Sequence, residues 1–117
     1  MSFETDLVAL LSSTFSGRLF PDTAPAGTAM PYATWQQVGG AAVNPYSGAD
    51  PGYGEMRLQV NVWSKTRAEA NALMRTVEIL LRPNPFAGRP IGALIAIYEE
   101  TTGARGAQQD FSVWHSY

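Results

Sequence analysis

The residues of this chain that could do chemistry are few and widely spaced. His115 is the only histidine, and the absence of cysteine removes disulfides, thiolate catalysis and cysteine-based metal sites. A catalytic or metal-binding histidine needs a carboxylate or hydroxyl group beside it. In the predicted last strand the nearest acid, Asp110, falls on the opposite face by parity. We therefore expect His115 to be an ordinary strand residue.

Two further patterns could have served catalysis or nucleotide binding. Glu99 and Glu100 are adjacent, so on a strand they face opposite sides and cannot form an acid–base pair. The glycines between Gly39 and Gly54 lack the lysine of a phosphate-binding loop, and they lead into a strand instead of a helix. These patterns thus give no positive signal for a catalytic, cofactor-binding or metal site.

Aromatic and arginine side chains give a different signal, because both are enriched where proteins meet proteins. Trp35, Trp63 and Trp114 lie on predicted strands, where filling the core or covering a sheet face is the simpler explanation. Tyr46 and Tyr53 fall in a predicted loop, where contact with another protein explains them equally well. The candidate interface residues are Tyr46, Asp50, Tyr53, Arg57, Gln59 and Arg105.

The polar side of one predicted strand leaves two explanations open. Arg57, Gln59 and Asn61 alternate with apolar residues, and a solvated outer face is the default for an antiparallel sheet. If the second face of the sheet instead lines a ring interior or a contact surface, the same residues become contact residues. Parity alone does not separate these cases.

Composition limits the class of protein. A chain of 117 residues with 45% hydrophobic content and 15% charged residues fits one folded domain. The formal net charge is -2 and the basic residues are scattered, so direct nucleic-acid binding is not expected. The N-terminus carries acids where a secretory signal has basic residues, and no apolar run approaches the ~20 residues of a membrane span. We expect a cytosolic protein without membrane contact.

The clearest element boundary lies between Met56 and Leu73, where the apolar period changes from two residues to three or four. A strand therefore runs almost directly into a helix. Thr66 and Glu69 form a capping-box pattern at the start of that helix, and Pro83 limits it to about Arg82.

The remaining elements follow from similar signals. Elements of this type and order predict an α+β fold with an antiparallel or mixed sheet, two amphipathic helices packed on one face and a long hairpin loop. The predicted elements are a first helix capped by Ser2 and stopped at Gly17, a short extended segment Arg18–Asp22, a strand Pro31–Val38, a loop Gly39–Gly54, a central strand Ile91–Glu100, a turn or short loop Thr101–Gln108 and a last strand Gln109–Tyr117.

Three blocks of the sequence together resemble the small tail-completion or tail-terminator proteins of long-tailed bacteriophages and prophages. Each motif within the blocks is ordinary strand or helix sequence, and their agreement in order and approximate spacing carries the resemblance. The blocks are Arg18–Val38, Arg57–Leu73 and Tyr98–Tyr117, and the motifs within them are Pro31-Tyr32, Val60-Asn61-Val62-Trp63, Glu69-Ala70 and Asp110-Phe111-Ser112-Val113-Trp114.

The resemblance implies one α+β domain over residues 1–117 with a structural role and no enzymatic activity. Such proteins assemble as a ring, commonly a hexamer, on the head-proximal end of a completed tail tube. The implied partners are other copies of the chain, the major tail tube protein and the head–tail connector protein. The implied locations are the host cytoplasm during assembly and the head-proximal end of the virion tail. The long loop is the segment expected to become ordered on contact with the tube or a neighbour.

A second class of function stays open on the residues alone. A small ligand-binding or cofactor-free enzyme domain could use Trp63, Trp114 and His115 to line a pocket. A closed apolar cavity with His115 bonded to a carboxylate would favour this class.

Overall fold

A computed structural model describes residues 3–42 and 44–116 of the chain. The predicted cap at Ser2 lies outside the described residues. The elements in chain order are the helix α1 (Phe3–Leu11), the strands β1 (Leu19–Pro21), β2 (Tyr32–Gln37) and β3 (Tyr53–Ser64), the helix α2 (Arg67–Leu81), and the strands β4 (Arg89–Glu99) and β5 (Ala104–Ser116).

The strands form one mixed five-stranded sheet in the order β1-β2-β3-β5-β4. The short strand β1 runs parallel to β2, and every other pair is antiparallel. β2 and β3 form a hairpin whose connection is the long loop that the sequence predicts. The α+β fold with a mixed sheet is confirmed.

The core lies between the sheet and the two helices. The aliphatic residues and the methionine of β3 alternate with polar and aromatic residues, so they point to one face of the sheet. The helix α2 meets that face with an apolar stripe at three- and four-residue spacing. α1 adds Leu7 and Leu11 to the same cluster, which confirms that both helices pack on one side. The buried residues of β3 and α2 in this cluster are Met56, Leu58, Val60, Val62, Ala70, Met74, Val77 and Leu81.

The boundaries of α2 agree with the sequence prediction. The Thr66 side-chain oxygen accepts a hydrogen bond from the Glu69 backbone N–H at 3.2 Å, which satisfies one donor at the helix start. The Glu69 carboxylate accepts a hydrogen bond from the Ser64 hydroxyl, whereas the capping-box pattern predicts the Thr66 backbone N–H as its donor. The first turn of the helix therefore contacts the last residue of β3.

The predicted strand Ile91–Glu100 is present as β4, but its predicted central position is wrong. β4 lies at an edge of the sheet and pairs only with β5. Ile91 and Ile95 are 39% and 58% exposed, and the pairing is interrupted by a bulge between them, at Gly92 with a φ of 79°. An apolar run usually indicates burial on both faces of a strand. Here Leu94 packs against the core, whereas Ile91 and Ile95 remain exposed.

The predicted loop from Thr101 to Gln108 is also too long. β5 already begins at Ala104, and the reversal is a tight turn that ends at Gly103. The sequence predicts a loop here because glycines such as Gly106 are common in loops, whereas Gly106 lies within β5. In the sheet its missing side chain makes room for the Trp63 ring and for Ile97, since a Cβ there would lie 2.9 Å and 2.6 Å from their atoms.

Within residues 3–42 and 44–116, no helix has the length and apolar character needed to cross a membrane.

Candidate functional site

Among the described residues, no helix or strand covers the face of the sheet that is turned away from the helices, and we call this face the open face. Its side chains come from every second position of β3 and β5, namely the positions that do not point into the core. Arg57, Gln59 and Asn61 of β3 therefore lie beside Gln108 and Asp110 of β5. The sequence allows the polar side of β3 either to face solvent or to contact a partner. In the structure this polar side is part of a continuous band across β3 and β5.

A hydrogen-bond network organises this band. Gln59 stands directly opposite Asp110, and its amide donates to one carboxylate oxygen at 3.2 Å. Arg57 reaches the other carboxylate oxygen with its Nε at 2.8 Å. The Arg57 side chain remains 46% exposed, so the guanidinium keeps N–H groups directed to solvent. The network holds the cation in a defined place and leaves it available to a partner.

Two more cross-strand bonds extend the network along the strands. The Gln108 amide donates to the Asn61 side-chain oxygen at 2.8 Å, and the Ser112 hydroxyl donates to Glu55 at 2.7 Å. Each bond joins side chains on neighbouring strands and restrains the rotamers of both. The open face is therefore a preorganised polar surface, which lowers the entropic cost of contact.

Tyr53 lies at one end of the open face, as the first residue of β3. The prediction that places it in the loop is wrong, because its backbone pairs with Ser116. Its ring contacts Trp114 with centroids 5.8 Å apart, and the two side chains are 48% and 40% exposed. An exposed aromatic pair beside an ordered polar network has the composition that protein interfaces favour.

The loop between β2 and β3 begins as an extension of the hairpin. Gly39 accepts a hydrogen bond from the Arg57 backbone N–H at 2.7 Å. Gly40 lies so close to β3 that a Cβ would approach the Glu55 carbonyl oxygen to 2.6 Å, which requires a glycine. Beyond this anchor the chain projects, and Tyr46 is fully exposed. Asp50 closes a local turn by accepting from the Gly52 N–H at 2.9 Å.

Arg105 does not join the other candidate residues. It alternates in phase with the buried Ala107, so it lies on the helix-covered side of the sheet, and its guanidinium stacks over the Tyr98 ring at 4.1 Å. The structure thus brings Tyr53, Arg57 and Gln59 onto one surface. Tyr46 and Asp50 lie on the loop that extends from it, and Arg105 lies elsewhere.

The three residues predicted to line a pocket in a ligand-binding or enzymatic domain, which are Trp63, Trp114 and His115, do not line one common pocket. Trp63 and Trp114 lie at opposite ends of the open face, roughly 27 Å apart along the strands. His115 lies on the other face and packs against Phe3 with ring centroids 5.5 Å apart. Trp114 and His115 border a crevice of only about 30 Å³. Asp110 and His115 do face opposite sides, as parity predicts.

A separate concavity of about 720 Å³ lies at the Trp63 end of the open face. It is bounded by the loop between β1 and β2 and by the turn between β4 and β5. Across the described parts of the chain, no group of three or more His, Asp or Glu side chains could hold a metal ion.

Several residues of the open face escape a search by residue type. Asp110, Glu55 and Ser112 are ordinary strand residues in the sequence. Only the register of β3 against β5 shows that Asp110 holds Arg57 and Gln59 and that Ser112 bonds to Glu55. The available signal is the shared alternation of the two strands, which places their polar residues on one face without giving the pairs.

Comparisons with known proteins agree with this architecture. A family model described as "Tail completion protein gp17" matches residues 5–116. A solved structure described as "Virion of native gene transfer agent (GTA) particle" contains a chain that superposes with a TM-score of 0.52 and 18% sequence identity. The match covers 95% of this chain and 84% of that one, and it supports the fold. A comparison with curated protein sequences gives no match.

Proposed function

The chain belongs to the family of tail completion protein gp17, and from this membership we propose that it caps the head-proximal end of a tail tube and joins the tail to the head connector. Membership makes the chain a structural protein of a bacteriophage-type tail. The family match over residues 5–116 is the observation that carries the proposal.

The proposed cap is a ring of identical copies, expected to be a hexamer. A closed ring needs heterologous contacts, in which one patch of each copy meets a different patch of its neighbour. The open face and the projecting loop are two distinct surfaces on one chain, so they suit such an arrangement. The proposed partners are other copies of the chain, the major tail tube protein and the head–tail connector protein, with no direct nucleic-acid or membrane contact.

We assign the contacts to the residues that the open face and the loop present. Arg57 and Gln59, held by Asp110, supply directed hydrogen-bond donors, and Tyr53 with Trp114 supplies apolar area. Tyr46 is an aromatic side chain with nothing to cover it on the free chain. Asp50 and Arg105 remain candidate contact residues at the loop base and on the far side of the sheet.

Removal of the protein tests the function. We expect deletion of the gene for this chain, in cells that produce the particle, to give tails of abnormal length or tails unattached to heads. Electron microscopy of lysates shows both defects. Restoring the chain from a plasmid should restore joined particles. Normal, infectious particles in its absence would refute the proposed role.

Replacement of Arg57 by alanine tests the open face. We expect binding to purified tail tubes to fall at least about tenfold, ~1.4 kcal/mol, because the guanidinium lies at the centre of the polar band. The free energy of unfolding should change by less than about 1 kcal/mol, since an exposed ion pair contributes little. Cosedimentation with tubes and chemical denaturation measure the two effects.

Arg82→Ala is the matched control for this experiment. Arg82 is 51% exposed and also makes one ion pair, with Glu78 at 2.9 Å, but it lies at the end of α2. We expect it to leave tube binding unchanged. Equal loss of binding in both variants would mean that general charge, and not the open face, governs the contact.

A further inference from the structure

The concavity at the Trp63 end of the open face has an aromatic and aliphatic floor. The Trp63 ring and Ile97 lie across the sheet above Gly106, and Tyr32 stands directly opposite Trp63 on β2. Thr34 of β2 also contributes to the lining. Since Gly106 has no side chain, the tryptophan ring lies against the sheet and forms a floor. We call this site the acidic groove, for the charges described next.

Both charged residues that line the groove are carboxylates, Asp22 on the loop after β1 and Glu99 at the end of β4. In the described parts of the chain neither of them makes an ion pair. Burial, with a contribution from the Glu99 carboxylate, raises the pKa of Tyr32 above its usual range, so negative charge is felt at the floor. The groove therefore combines negative potential with an aromatic surface.

Such a site matches a cation on a long apolar stem. A guanidinium or ammonium group is attracted to the face of a tryptophan ring and forms charge-assisted hydrogen bonds with carboxylates. The methylene stem can lie along aliphatic side chains such as Ile97. A volume of about 720 Å³ accommodates the side chain together with a few residues of extended backbone.

No basic side chain of the described residues lines the groove. Five of the eight basic side chains are held at other places on the same chain, and the net charge of the chain is -2. The engaged residues are Arg57, Arg75 and Arg82 in ion pairs, Arg18 on the Pro31 carbonyl and Arg105 on the Tyr98 ring. Charge complementarity therefore favours a separate, basic partner.

We propose that the acidic groove binds an arginine or lysine side chain presented by an extended segment of a partner protein in the tail or connector. This proposal rests on the proposed function for the identity of the partner as a particle protein. Trp63 provides the stacking surface, and Glu99 with Asp22 fixes the cation.

Binding of a short peptide to the purified chain tests the groove directly. The probe is acetyl-Gly-Ser-Gly-Arg-Gly-Ser-Gly-amide, with an identical peptide that carries glutamine in place of arginine as its control. Titration followed by two-dimensional NMR should show saturable shifts of the Trp63 indole N–H and of groove amides with the arginine peptide alone. Raising the salt concentration should weaken the binding, because the attraction is electrostatic.

Adjacent glutamates supply a matched pair of variants. Glu99→Gln should weaken binding of the arginine peptide about five- to tenfold, because it removes a carboxylate that lines the groove. Glu100→Gln removes the same charge from the neighbouring turn residue, which does not line the groove, and should leave binding unchanged. Trp63→Leu should weaken binding without changing the charge.

Three results would overturn the proposal. These are equal shifts with the glutamine peptide, shifts spread over the surface outside the groove, and equal weakening by both glutamate variants. Concentration-dependent self-association that disappears in Glu99→Gln would assign the groove to a second copy of the chain and overturn the separate partner. If the peptide does not bind to a chain that still restores normal tails, the groove is not a binding site for a basic side chain. The proposed function would then still stand.

Discussion

Replacing Phe111 with alanine is expected to lower the free energy of unfolding by about 3 to 5 kcal/mol. Phe111 is fully buried and is among the largest buried side chains of the chain. It lies in β5, between Leu58 of β3 and Pro90 of β4, so its removal leaves a cavity where the two strand pairs meet the helices. Because small domains are stable by about 5 to 15 kcal/mol, the variant should lose a large part of its stability. Chemical denaturation followed by tryptophan fluorescence measures the effect.

The control removes an aliphatic side chain from the surface of the same sheet. Ile95 is 58% exposed on β4, so Ile95→Ala should change the free energy of unfolding by no more than about 0.5 kcal/mol. A loss for Phe111→Ala as small as that for Ile95→Ala would place Phe111 outside the core and contradict the topology described here.

Shortening the loop should have the largest effect on assembly. When residues 44–52 are replaced by a four-residue Gly-Ser link, we expect joined particles to be lost while the thermal transition stays within a few degrees of wild type. The hydrogen bonds described for the segment are internal to it, such as Gly48 N–H to the Pro45 carbonyl at 2.9 Å and Ala49 N–H to Ser47 at 3.3 Å. Tyr46 is fully exposed, so little core contact is removed.

Two measurements separate the functions of loop and fold. Particle yield and electron microscopy report assembly, and thermal denaturation of the purified chain reports folding. Tyr46→Ala, which keeps the loop length, should reproduce part of the assembly defect. Collapse of the fold in the shortened variant would show that the loop is structural, and normal assembly would exclude it as a contact surface. The anchor at Gly39 and Gly40 should be left intact in both variants.

The frame of the fold is predictable from local sequence because its signals are local. The apolar residues of β3 repeat every two positions, and those of α2 repeat every three or four. Thr66 and Pro83 mark where α2 starts and stops, since a cap and a missing N–H act within one turn of helix. One of the three blocks that carry the resemblance to tail-completion proteins, Arg57–Leu73, lies in these two elements, and the family match confirms the resemblance.

The position of a strand within the sheet depends on contacts that local sequence does not contain. The apolar run of β4 looks central, but β5 takes the position next to β3 and leaves β4 at the edge. The prediction that Arg105 lies in a loop is wrong for a related reason. Gly103 and Gly106 suggest a loop there, whereas the chain is already in β5 and the parity of the strand sends Arg105 to the helix side.

The candidate surface is predictable in part. Alternation places Arg57, Gln59 and Asn61 on one face. It does not show that Asp110 binds Arg57 and Gln59, or that Gln108 binds Asn61. Those pairs depend on the register of β3 against β5, which is set by strands about fifty positions apart in sequence. The acidic groove depends on still more distant segments, since its two carboxylates come from the ends of β1 and β4.

The free edge of β4 has a consequence for the chain before it meets any partner. Unpaired backbone groups beside exposed isoleucines can recruit a stray strand and start aggregation. The bulge between Ile91 and Ile95 bends this edge, and Pro90 removes one donor from it, so a regular unpaired ladder runs only over Ile95–Glu99. A short, bent edge is a poor template for fibre growth. We therefore expect the free chain to tolerate storage at high concentration. Deletion of Gly92 and Ala93 would leave Leu94 alone opposite Gln109 and straighten the bulge, and we expect that variant to precipitate.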